Sequence, residues 1–119
     1  MGEDKIRNFE DLVVYQRGYE LALKSYRLTD TFPGSERYEL THQLRTASVS
    51  IPANIAEGYG RKDSDKEFKH FLRNALGSTN EMMVLLKLAK DLGYPAEESL
   101  IAEYDVLGKQ LFKLIAKWS

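Results

Sequence analysis

Two Glu-x-x-His pairs, Glu39 with His42 and Glu67 with His70, are the residues here best spaced for chemistry. In a four-helix bundle that spacing can hold a carboxylate-bridged di-iron centre, and Glu20 and Glu103 could supply the remaining ligands. The axial register argues against it. From the turn that joins the second and third expected helices, His42 lies about 18 residues away and His70 about six, a mismatch of roughly 18 Å at 1.5 Å per residue. Both histidines also take the outward f position of their heptads. Surface histidines follow, with no metal and no cofactor.

Other catalytic patterns are weaker still. Gly58-x-Gly60 echoes a phosphate-binding loop, but it follows a helix rather than a strand and lacks the third glycine, so it reads as a helix stop. Serine, histidine and acidic residues occur without the spacing of a triad, and two exposed histidines give nucleophilic catalysis little to build on. The expectation is a protein that is not an enzyme.

The polar residues left over point to binding. Arg61, Lys62, Lys66, Lys69 and Arg73 recur at short steps along the second turn and third helix, and such a stripe could track phosphates. Asp63, Asp65 and Glu67 interrupt it, which equally suits a solvated face. A second cluster, Arg45, Ser50, Asn54, Glu57 and Arg61, surrounds Pro52, with Glu57 and Arg61 an i to i+4 pair. Asn54 falls on the inward seam, so these groups could form a network with Arg73, Ser78 and Glu81 of the next helix. That network could fix the packing, or it could be a recognition surface.

Positioning such residues requires helices, and the apolar periodicity supplies four. The expected spans are about 9–31, 35–58, 65–92 and 96–118, an all-α up-down-up-down bundle in a single domain covering residues 1–119, because connections of about three to seven residues make neighbours antiparallel. Asn8 and Ser35 are candidate N-caps, Ser64 with Glu67 is a capping-box sequence, and Gly93 is a stop. Pro52 lies inside the second helix, where a kink rather than a break is expected.

The inward seams read Leu40, Leu44, Ala47, Ile51 and Ile55; then Phe68, Leu72, Ala75, Thr79, Met82, Leu86 and Ala89; then Leu100, Tyr104, Leu107, Leu111, Leu114 and Trp118. Helix one offers two seams. Leu12, Tyr15, Tyr19, Ala22, Tyr26 and Thr29 make one, and Val14, Gly18, Leu21, Ser25, Leu28 and Phe32 make another about 200° around the axis. Either the helix turns one broad stripe to the core, or the second series is an oligomer interface in which Gly18 and Ser25 permit close approach.

Composition bounds the alternatives. The chain has 119 residues, 17 basic and 18 acidic side chains, a net charge of −1, 43% apolar residues and no cysteine. Thiolate chemistry and cysteine-ligated metals are thereby excluded, and a reducing compartment suits the composition. No stretch approaches the roughly 20 apolar residues of a membrane span, and the opening MGEDKIRNFEDL has no apolar signal core. Ile6 stands where a myristoylation site wants Ser or Thr. A cytoplasmic protein is expected, whose nucleic-acid binding, if any, rests on a local patch.

The stretch QLRTASVSIPANIAEGYGR, Gln43 to Arg61, with FLRNALGSTNE, Phe71 to Glu81, and LAKDLGY, Leu88 to Tyr94, resembles the bacterial 23S rRNA-intervening sequence protein family. FEDLVVYQRGYELA and FPGSERYEL match too, so the resemblance covers nearly the whole chain. It implies a four-helix bundle assembled as a ring-like homopentamer. A similar fold occurs in the accessory variability determinant proteins of diversity-generating retroelements, whose strongly basic pentamers bind nucleic acid. This chain is slightly acidic. With the stripe of cations, the likeness suggests a non-enzymatic oligomer that binds RNA or a ribonucleoprotein through Arg45, Arg61, Lys62, Lys66, Lys69 and Arg73. The competing expectation is a scaffold that recognises another protein through the assembled ring.

Overall fold

The computed structural model describes residues 6–118. Four helices dominate it: α1, Val13–Thr29; α2, Leu40–Tyr59; α3, Asp65–Asp91; and α4, Glu98–Lys117. There is no strand among the described residues.

Each boundary has a local cause. Asn8 does act as an N-cap, accepting from the Glu10 N–H at 2.8 Å, but the helix it opens is a single 3-10 turn, Phe9–Asp11. Leu12 is extended, and α1 starts only after it, four residues later than expected. Ser35 caps nothing. It sits in a second 3-10 turn, Gly34–Glu36, and α2 begins at Leu40. Ser64 caps α3 by accepting from the Glu67 N–H at 3.2 Å. Only that half of the capping box forms, because the Glu67 carboxylate turns to Arg61 instead. At the far end of α3, Gly93 has φ +89°, and the bonds Gly93 N–H to Lys90 and Tyr94 N–H to Ala89 close a Schellman stop that an L side chain would strain. Pro95 lies in the connection before α4, which begins at Glu98. Pro52 lies within α2, which continues unbroken on both sides.

Cross-helix contacts fix the topology. Gly18 of α1 faces Ile51 and Pro52 of α2; Ser50 of α2 bonds Ser78 of α3; Trp118, just past α4, bonds Asp65 at the start of α3; and Ser25 of α1 bonds Tyr104 of α4. Chain-adjacent helices run antiparallel, and α4 returns beside α1 to close the bundle. The molecule measures 48 × 25 × 20 Å. The seams expected for α2, α3 and α4 are its core: Leu44, Ile51, Ile55, Phe68, Leu72, Met82, Leu86, Tyr104, Leu107 and Leu111 are fully enclosed.

Helix α1 corrects the sequence reading. Val14, Gly18, Leu21, Ser25 and Phe32, assigned to an oligomer interface, are buried inside the single chain, and Leu28 is half-buried. Leu12, Ala22 and Thr29 are buried with them, so the broad core-facing stripe is the arrangement found. What lies outside is Tyr19 and Tyr26, with Tyr15 half-covered. The reason is steric. A Cβ on Gly18 would stand 3.1 Å from the Ile51 side chain, so only a very small residue lets α1 approach α2 this closely. Ser25 likewise fits beneath Tyr104. Tyrosines, which keep a wet hydroxyl beside an apolar ring, take the outer positions.

Candidate nucleic-acid interface

One end of the bundle gathers five of the six expected cations. Residue 58 sets its geometry. Gly58 is buried within α2 rather than ending it, and an added Cβ would meet the Phe71 Cβ at 2.8 Å and the Phe68 ring at 3.1 Å. Without that Cβ, α2 and α3 close tightly here. Phe68 is buried and packs edge-on against Trp118 at 4.6 Å, while Phe71 stays half-covered.

Arg61 occupies the turn above this contact. Its two terminal nitrogens bond Glu57 at 3.0 Å and Glu67 at 3.2 Å, and its Cζ lies 5.1 Å from the Phe71 ring centre. The hydrogen bonds it donates to Glu57, then to Glu67, hold its pKa above the ordinary arginine value. Next to it, the Lys62 ammonium lies 4.5 Å from the Tyr59 ring centre. Lys66 and Arg73 are exposed and Lys69 half-exposed along one face of α3. None of these three forms an ion pair among the described residues. His70 lies among them, exposed and edge-on to Phe71 at 5.2 Å.

Arg45 does not belong to this site. It sits about 24 Å away along α2, 16 residues at 1.5 Å each. Its Nε bonds the Thr29 hydroxyl at 2.8 Å, a terminal nitrogen pairs with Asp30 at 2.7 Å, and the guanidinium covers Tyr26 at 4.8 Å. It is a clamp between α1 and α2.

The profile of the 23S rRNA-intervening sequence protein family matches residues 10–114. The chain belongs to that family. A solved structure of a protein of unknown function from the S23 ribosomal protein family of Bacteroides thetaiotaomicron is similar: 25% identity, TM-score 0.75, covering 87% of this chain and 98% of that one. No protein of curated function matches.

In this intervening-sequence protein the polar network expected around Pro52 is mostly local. Ser50 reaches across to Ser78 at 2.5 Å, but the Asn54 amide donates to the Ser50 carbonyl of its own helix at 2.7 Å. Glu57 is spent on Arg61, and Glu81 is exposed with no hydrogen bond among the described side chains. Helix α2 turns its Asn54 edge toward the surface, which removes the need for partners on α3. Sequence spacing also missed three pairs: Arg61 with Glu67, Trp118 with Asp65 at 3.0 Å, and Tyr94 with Glu36 at 2.6 Å. Each joins segments whose approach depends on the fold.

The histidines of the rejected metal site, His42 and His70, are exposed on separate helices, and Glu103 pairs with Lys24 at 2.9 Å. No group of three or more metal-ligating side chains gathers among the described residues. A small groove of about 170 Å³ between α1 and α4 is lined by Arg17, Glu20, Lys24 and Glu103, with apolar Val13 and Leu21. No described helix is long and apolar enough to cross a membrane.

Proposed function

We propose that this protein is a non-enzymatic binding module of the bacterial cytoplasm that engages RNA, alone or within a ribonucleoprotein, through Arg61, Lys62, Lys66, Lys69 and Arg73. The observation that carries the reading is where the neighbouring acids go. Glu67 and Glu57 are taken by Arg61, and Asp65 accepts from the Trp118 indole. Two of the three carboxylates that interrupt the stripe in sequence, Asp65 and Glu67, are therefore engaged by Trp118 and Arg61, and Lys66, Lys69 and Arg73 lie along two turns of α3 with no ion pair among the described residues. Such a patch binds by counterion release even when net charge is near zero.

The test is RNA affinity against salt. Wild-type protein binds at low salt, and reversing Lys66, Lys69 and Arg73 to glutamate abolishes binding. A wild type without RNA affinity at low salt, or an unchanged triple variant, overturns the role.

A second reading, a protein-recognition scaffold acting through a homo-oligomeric ring, draws support from apolar side chains left outside the bundle. Val84 and Leu88 of α3 and Leu92 at its C-cap are exposed at i, i+4 and i+8, and Phe112 of α4 is 66% exposed. Runs of this kind mark interaction surfaces. The pentamer is the assembly the family resemblance suggests. Purification from native cells separates the readings: a protein partner retained through nuclease and moderate salt favours the scaffold, and loss of all partners on nuclease treatment favours RNA.

A further inference from the structure

We propose that Arg61 and Phe71 form a stacking platform for one unpaired base, so that the RNA taken by this face is single-stranded. The proposal rests on the RNA reading above and adds its ligand class.

Arg61 is poorly placed to hold a phosphate. Both terminal nitrogens are engaged, by Glu67 at 3.2 Å and Glu57 at 3.0 Å, and the two carboxylates give its surroundings a negative bias. Its planar faces are a different matter. One side of the guanidinium lies over Phe71, at 5.1 Å from the ring centre, while the side chain as a whole remains 51% exposed. Two carboxylates at its edge and an aromatic ring beneath hold the group in place with little freedom left to lose on binding. A guanidinium plane so held is the partner of another flat π system, and unpaired bases are stacked by Arg planes and aromatic rings in this way. In a duplex those base faces are already covered by their neighbours. His70, edge-on to the same ring, extends the surface, and Lys66, Lys69 and Arg73 lie alongside to neutralise the backbone. Gly58 admits Phe71 to this position.

The experiment measures binding of the full chain to an unstructured RNA of ~10 nucleotides, within the usual site size for single strands, and to a duplex of the same sequence. The single strand binds roughly tenfold tighter than the duplex. Arg61→Lys, which keeps the charge and loses the plane, weakens single-strand binding by roughly 5- to 100-fold. It leaves the salt dependence unchanged, whereas Lys66→Glu reduces that dependence. Phe71→Leu repeats the Arg61→Lys result, and a circular-dichroism melt of each variant verifies that it folds. A 2-aminopurine probe in the strand is quenched by wild type and not by Arg61→Lys. Equal affinity for duplex and single strand, or a folded Arg61→Lys variant that binds like wild type while Lys66→Glu does not, overturns the platform and leaves the RNA reading standing. Failure of the wild type to bind either RNA overturns both.

Discussion

Tyr104 is enclosed completely, yet it carries a hydroxyl that must be satisfied. That hydroxyl donates to the Leu21 carbonyl at 3.1 Å and is left to accept from the Ser25 hydroxyl at 2.7 Å. Both partners belong to α1, so one side chain of α4 ties the first helix to the last. Tyr104→Phe is expected to cost about 1–2 kcal/mol in urea unfolding, because buried Ser25 loses its partner. Adding Ser25→Ala should recover part of the loss, and a double-mutant cycle measures how much. Burial also pushes the phenol well above its ordinary value. Above about pH 10 the unfolded chain releases a proton that folded Tyr104 retains, so stability falls as pH rises through that range. Tyr94, raised by its hydrogen bond to Glu36, acts in the same direction. Unfolding midpoints at pH 8 and pH 11 should therefore differ less in Tyr104→Phe than in wild type, without becoming equal.

At the scale of the helix, two glycines separate space from propensity. An alanine at position 58 would force its Cβ to 2.8 Å from the Phe71 Cβ and 3.3 Å from the Phe68 carbonyl, so Gly58→Ala should destabilise by about 1–3 kcal/mol. Gly77, exposed in the middle of α3, has nothing within 4 Å of the same atom, and Gly77→Ala should stabilise by about 1 kcal/mol. Thermal melts of the two variants should move in opposite directions. The same contrast marks what sequence could disclose. Heptad spacing located α2, α3 and α4 and the buried residues of their expected seams, with Leu114 and Trp118 only half-buried at the end of α4, because Leu, Ile and Phe at those positions have no other favourable place. In α1 it offered a tyrosine-rich seam beside one containing Gly18 and Ser25, and the broad stripe that draws on both rests on the close approach at Gly18. Short 3-10 turns left no periodic trace at Phe9–Asp11 or Gly34–Glu36. Of the candidate face, the cations were legible as a stripe, but the pairing of Glu67 with Arg61 and of Asp65 with Trp118 depends on how the turn and the end of α4 fold back. Arg45 was misplaced for the converse reason: its partners Thr29 and Asp30 are neighbours only in the folded chain.

For the molecule as a whole, the exposed apolar positions at the C-terminal end of α3 test the proposed ring. Val84, Leu88 and Leu92 are only partly covered within the chain, at 66%, 46% and 54% exposed. In sedimentation at micromolar concentration the protein is expected to exceed its 13.7 kDa chain mass, and Leu88→Glu with Leu92→Glu should return it to that mass. A wild-type particle of one chain would show that these residues do not drive association. Closure of the bundle is uneven as well. Helices α2 and α3 share the most extensive contact, whereas α1 and α4 meet sparingly and leave grooves between them. Local opening begins where fewest apolar contacts must be given up. Deuterium should accordingly enter the amides of the first and last helices soonest, with the central hairpin protected longest. The cations and Arg61 are carried by that hairpin, so the outer pair can breathe without disturbing the surface proposed to meet RNA.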